Sequence, residues 1–219
     1  MKYTRLNIGI DVDGILANFV KTFYEISYEM FKFPKLNIVN NYDVEEYNFG
    51  MSADNVSDVF DEMENTEDFW LGLEPLITKP VFEKLFLICN THNVYFITDR
   101  FETEGAYNVK GQTERWLSKY GVLYPSVIVH TNKSWILRAL GINFYIDDNP
   151  KNTIMIAKNC PEVLNFTMDY PYCAKERDVR GLRVVDDFES FLNIILTLDR
   201  EIYDAKYYMR KFNHGPKKQ

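Results

Sequence analysis

Short apolar runs that stop abruptly on polar residues recur along this sequence, and the first of them constrains the fold most. Leu6 to Ile10 is rich in β-branched residues and ends in Asp11, Val12, Asp13 and Gly14. Such a run reads as a buried parallel strand that brings two carboxylates to a turn. Asp11 and Asp13 stand two apart, so an extended backbone points both side chains the same way, and Gly14 lets the chain swing aside at once. Two carboxylates about 4 Å apart repel by roughly 4 kcal/mol at an effective dielectric of 20, which demands a metal ion or a shared proton. Taken alone, Asp-Val-Asp-Gly fits an inert acidic turn equally well.

The pattern repeats. Val94 to Ile97 ends in Thr98, Asp99 and Arg100; Val127 to Val129 is soon followed by Lys133; Phe144 to Ile146 ends in Asp147, Asp148, Asn149 and Pro150. Two further strands are expected at Val163 to Phe166 and Leu182 to Val185. Between the strands the apolar spacing is helical. Phe19, Val20, Phe23, Tyr24, Tyr28 and Phe31 form one such face, closed by Pro34, and Ser52 caps a second helix through Val56, Val59, Phe60 and Met63. Pro80 opens a helix over Val81 to Cys89, while Gly121 and Gly141 close helices carrying Trp116 and Leu140. The alternation predicts an α/β fold: a Rossmann-like doubly wound parallel sheet with right-handed crossovers. Its ligand site should lie beyond the C-terminal ends of the strands.

Those ends hold the polar residues. A formal net charge of -7 opposes non-specific binding to a polyanion and favours a small substrate held by a few local cations. Cys89, Cys160 and Cys173 are too scattered for a disulfide framework, and His92, His130 and His214 lack zinc-ligand spacing, so any metal should be oxygen-ligated. No apolar run approaches the roughly 20 residues that span a bilayer, and Asp11 and Asp13 interrupt the only leader-like stretch. A soluble, cytoplasmic protein is expected. The basic tail around Gly215-Pro216, with Arg210, Lys211, Lys217 and Lys218, reads as a solvated end.

The chemistry that uses this whole set is phosphoryl transfer through an aspartate nucleophile. A carboxylate attacking an anionic phosphoryl group needs Mg²⁺ to offset repulsion, and Asp11 with Asp147 suits such an ion. The poor alkoxide leaving group needs a second acid that later deprotonates water, and Asp13 is placed for that work. Thr98 and Lys133 would supply donors to the equatorial phosphoryl oxygens.

With these residues in place the sequence resembles the haloacid-dehalogenase superfamily of phosphatases, which shows Asp-x-Asp-Gly, a Thr or Ser after strand two, a Lys after strand three and an acidic pair after strand four. More narrowly, Asp-Val-Asp-Gly-Ile-Leu-Ala-Asn-Phe at 11–19, Phe-Trp-Leu-Gly-Leu-Glu-Pro-Leu at 69–76 and Tyr-Ile-Asp-Asp-Asn-Pro at 145–150 resemble the 5'(3')-deoxyribonucleotidase family. The resemblance implies a core of 1–17 and 77–219 with a small helical cap, 18–76, inserted after the first strand. It implies Asp11 as nucleophile, Asp13 as acid and base, and Thr98 and Lys133 as phosphate ligands. The Mg²⁺ ligands would be Asp11, the Asp13 carbonyl and Asp147, with Asp148 behind them. Asn18 and Phe19 would face the substrate. Tyr42, Tyr47, Phe49, Phe69 and Trp70 are further candidates for stacking on a base, although core packing explains most aromatics.

One departure stands out: Thr98-Asp99-Arg100 replaces the family's Thr-Ser-Pro. Asp99 should point away from the phosphate. Arg100 either clamps the phosphate or pairs with a carboxylate, and the two readings weigh equally. The expected activity is a Mg²⁺-dependent hydrolysis of (deoxy)nucleoside monophosphates through an aspartyl phosphate. A nucleic-acid 3'-phosphatase or sugar-phosphate phosphatase on the same fold is the alternative, and a silent binding module a more distant one. Dehalogenation has no use for Asp13. The expected partner is a small nucleotide, not a long nucleic acid or a membrane, and a homodimer is left open.

Overall fold

The computed structural model describes residues 5–33, 51–175 and 177–198. Its strands are β1 (Asn7–Ile10), β2 (Asn93–Thr98), β3 (Ser126–Val129), β4 (Phe144–Ile146), β5 (Leu164–Met168) and β6 (Leu182–Val185). Its helices are α1 (Phe19–Phe31), α2 (Ala53–Glu64), α3 (Lys79–Thr91), α4 (Val109–Lys119), α5 (Lys133–Ala139), α6 (Pro150–Asn159) and α7 (188–198), with a 3₁₀ turn at Phe69–Leu71. All six strands pair in parallel, in the order β3-β2-β1-β4-β5-β6. The order reverses at β1, which has β2 on one side and β4 on the other, so the crevice expected at such a switch point opens where β1 ends.

Strand alternation divides the core between the two faces of the sheet. Ile8, Ile10, Phe96, Phe144, Ile146 and Phe166 share one cluster with Trp116 of α4 and Leu85 of α3. Ile97 and Tyr145 point the other way, into a smaller cluster with Leu137 of α5 and Ile156 of α6. Helices on both faces make the doubly wound sheet that the sequence predicts. Strand β5 runs past the predicted Phe166 because Thr167 and Met168 pair with Val184 and Val185.

The chain leaves β1 through a tight turn in which the amides of Leu16 and Ala17 both donate to the Val12 carbonyl. From there the segment containing α1, α2 and the 3₁₀ turn begins and ends side by side: Asn18 N donates to Glu74 O at 2.9 Å, and Leu76 N to Leu16 O at 2.7 Å. Trp116 Nε1 donates to Leu73 O at 2.8 Å and ties the returning chain to α4. Helix α1 stops at Phe31, with Lys32 in the left-handed region at φ 62°, ahead of the expected stop at Pro34. Ser52 caps α2 as expected, its side chain accepting from Asn55 N. Pro34, Tyr42, Tyr47, Phe49 and the basic tail lie outside the described residues. Among the described residues, no helix is long and apolar enough to cross a membrane.

Gly9 of β1 sits opposite Tyr145 of β4, and a Cβ there would come within 2.8 Å of the Tyr145 ring. Tyr145 is fully buried, so its ring has nowhere to retreat. We predict that Gly9→Ala destabilises the protein by about 1–3 kcal/mol through overpacking. A lowered urea midpoint at unchanged slope is the expected result; an unaltered midpoint would show that the ring moves freely.

Candidate active site

The register of the sheet assembles the site. Ile10 is level with Phe96 on one side and Ile146 on the other, so Asp11 and Asp147 emerge together where β1 and β4 stop. Lys133 is the first residue of α5, whose preceding Asn132 caps the helix by accepting from Trp135 N at 3.3 Å. That cap aims the lysine inward. Its ammonium lies 2.9 Å from Asp11 Oδ2 and 2.8 Å from Asp147 Oδ2, and only 2% of the side chain is exposed.

Burial alone would pull the Lys133 pKa down, but Asp11 and Asp147 outweigh it and hold the ammonium above its ordinary range. Asp11 is pushed well up, first by burial and then by Asp147 and Asp148, against the opposing pull of Lys133. Asp148 is raised to about 8 by burial and by Asp147, although Tyr172 donates to it. Three carboxylates against one ammonium leave an excess of negative charge that protons or a cation must offset.

The donor set fits a hard divalent cation. Asp11, Asp147 and Asp148 are buried, each with a carboxylate oxygen within 4.8 Å of the others. Asp147 is the more engaged of the pair: its Oδ2 accepts from Lys133, Tyr145 and Asn152, while its Oδ1 accepts from Asn149 N alone. Asp148 is less so. Its Oδ1 is buried without a hydrogen-bond partner. Gly14, at φ +77°, allows this approach, since a Cβ there would overlap the Asp148 carboxylate. The resemblance implies Asp147 against the ion with Asp148 behind it, whereas the hydrogen bonding leaves the free oxygen on Asp148.

Asp13 faces a different set of partners. Thr98 Oγ1 donates to its Oδ2 at 3.2 Å, and Arg100 reaches both of its oxygens, Nε to Oδ2 at 2.7 Å and Nη2 to Oδ1 at 2.8 Å. Asp99 is exposed. The side chain of Asn18 caps α1, accepting from Lys21 N at 3.2 Å. Phe19 is half-buried among Trp70, Phe60 and Phe69, at ring separations of 5.8, 6.3 and 6.5 Å. Phe101 packs on Trp70 and Phe60 from the loop after β2, completing an aromatic shell.

Sequence reasoning missed several supports. Tyr145 hydroxyl donates to Asp147 Oδ2 at 2.6 Å, Tyr172 hydroxyl to Asp148 Oδ2 at 2.8 Å, and Tyr170 hydroxyl to the Gly14 carbonyl at 2.9 Å. Tyr145 alone left a trace, a polar tip inside a strand buried on both faces.

Haloacid-dehalogenase-type hydrolases share this fold. Solved structures of that class resemble the chain: a hydrolase from Deinococcus radiodurans with bound phosphate and sodium has a TM-score of 0.56 at 10% identity, covering 90% of this chain and 97% of that one. A Streptococcus pneumoniae haloacid-dehalogenase-like hydrolase gives 0.55 at 9%, covering 89% and 98%. A Geobacter sulfurreducens subfamily IA hydrolase gives 0.53 at 13%, covering 87% and 96%. At such identities the likeness shows the fold alone. No curated protein sequence matches. The family profile described as 5' nucleotidase, deoxy (pyrimidine), cytosolic type C matches residues 5–199, and the chain belongs to that family of phosphatases.

A carboxyl pKa raised on folding makes the native state bind more protons than the unfolded chain, so stability falls as pH rises from about 4, the unfolded value, to about 8. We predict that metal-free Asp148→Asn melts above the wild type, by a margin that widens over that range. Calorimetry at several pH values checks it. A margin independent of pH would mean that Asp148 carries no such burden.

Proposed function

We propose that the protein hydrolyses (deoxy)nucleoside monophosphates to nucleoside and phosphate through an aspartyl phosphate on Asp11. The observation that carries this reading is the convergence at one end of the sheet of two bonded pairs, Asp11 with Lys133 and Asp13 with Thr98. An Asp11 carboxylate oxygen forms a bond to phosphorus as the ester P–O bond breaks, and Asp13 gives its proton to the departing oxygen. Water then attacks the acyl phosphate, Asp13 takes the proton, and phosphate leaves with Asp11 restored. Thr98 and Lys133 donate to the phosphoryl oxygens.

Asp11, the Asp13 carbonyl and Asp147 would hold Mg²⁺, with the free oxygen of Asp148 beside them, while Asp147 Oδ2 fixes Lys133. Bound there, the ion lowers the repulsion between carboxylates and an anionic substrate. Residues 18–76 act as a cap that chooses the substrate. Phe19 is half-buried in an aromatic shell that suits a base, and stacking of this kind contributes about 1–3 kcal/mol. A cytoplasmic location suits the three free cysteines.

Phosphate release from a panel of nucleotides, sugar phosphates and 3'-phosphorylated oligonucleotides, with and without Mg²⁺, tests the proposal. Nucleoside monophosphates should turn over fastest and EDTA should abolish turnover; preference for a sugar phosphate or for oligonucleotide ends would reassign the substrate. Asp11→Asn should lose all chemistry with its fold intact. Asp13→Asn should release a good leaving group in a burst and then stall, because the acyl phosphate waits for its base. Wild-type turnover by Asp11→Asn would refute the covalent route.

A further inference from the structure

Arg100 has no part in the steps above, yet its side chain is held on every side. It follows β2 by two residues, its side chain is 0% exposed, and three of its five N–H donors are engaged. Two of them span the Asp13 carboxylate as a fork, and Nη1 donates to Thr113 Oγ1 at 3.0 Å. Thr113 is itself buried on α4 and donates to Val109 O at 2.8 Å, so this anchor cannot drift. The guanidinium carbon lies 4.5 Å from the Trp70 ring, which fixes the remaining direction. Trp70 is pinned in turn, its amide donating to Gln112 Oε1 at 3.1 Å and its indole to Phe101 O at 2.9 Å.

Asp13 needs such a partner more than Asp11 does. Its side chain is 23% exposed against 6% for Asp11, and the glycine after it offers no packing. A carboxylate in that position would sample several rotamers, while proton transfer in both half-reactions requires one. A displacement of 1 Å costs about a hundredfold in rate. A clamp on the phosphate would need the fork turned toward the substrate; the three engaged donors of Arg100, its Nε–Nη2 fork among them, are turned toward Asp13 and Thr113.

We propose that Arg100 is the positioning residue of the acid–base step: it clamps the Asp13 carboxylate in its working orientation and does not grip the phosphate. The proposal rests on the assignment of Asp13 as acid and base. Arg100 thereby ties that step to the aromatic shell, because Trp70 backs the guanidinium and also stacks on Phe19.

The test uses the full chain with Mg²⁺ and a nucleoside monophosphate, comparing Arg100→Met, Arg100→Lys, Thr113→Ala, Asp13→Asn and the double variant Arg100→Met/Asp13→Asn. Circular dichroism and melting curves monitor the fold. Arg100→Met should lower kcat about tenfold to a hundredfold, with KM and the inhibition constant of inorganic phosphate within about twofold of wild type. Arg100→Lys should fare no better, since one ammonium cannot span both oxygens. The double variant should be no slower than Asp13→Asn, because the clamp matters only through the residue it holds. Thr113→Ala keeps the arginine and should lose kcat in the same direction by less, which decides the matter if Arg100→Met fails to fold. A phosphate inhibition constant weakened about tenfold at unchanged kcat, or losses that multiply in the double variant, would overturn the role of Arg100. Wild-type turnover by Asp13→Asn would instead overturn the acid–base assignment beneath it.

Discussion

One buried ammonium holds the site together. Lys133 bridges Asp11 and Asp147 at the ends of two neighbouring strands, where burial opposes the charges on Lys133 and Asp11. Removing one partner from a buried ion pair leaves an uncompensated charge at a cost of about 3–5 kcal/mol, so β1, β4 and the start of α5 are locked to one another. The lysine does not neutralise the cluster. Two carboxylates remain in excess, an arrangement that suits a divalent cation.

The surrounding structure serves to keep these groups from relaxing. Gly9 makes room for Tyr145, whose hydroxyl holds Asp147; Gly14 makes room for Asp148; from the segment after β5, Tyr170 braces the turn at Gly14 and Tyr172 braces Asp148. Asp13 is held on the other side by Thr98 and by an arginine backed with tryptophan. Asp11 and Asp13 therefore sit in different surroundings, one buried among acids and one paired with a guanidinium. Different environments are what allow like residues to do different work.

Much of this was legible in the sequence because strand ends write it there. A buried strand is apolar until it reaches the site, so each abrupt change to Asp11, Thr98 or Asp147 marks both a boundary and a candidate site residue. The parallel order carried those ends to one place. What the sequence withheld was long-range and side-chain specific. Arg100 could equally meet a phosphate or a carboxylate until Asp13, 87 residues earlier, was seen within its fork. Which of Asp147 and Asp148 keeps a free oxygen depends on Tyr145, Asn152 and Tyr172, and no local spacing encodes that. The extra residues of β5 exist only through pairing with β6.

The central claim is that Asp11 is the atom donor to phosphorus. The most direct measurement is acid quenching of the Asp13→Asn variant during turnover of an aryl phosphate, followed by peptide mass spectrometry. The account predicts a phosphoryl adduct on Asp11 that hydroxylamine removes. An adduct on another residue, or none while the wild type turns over with water attacking phosphorus directly, would contradict it.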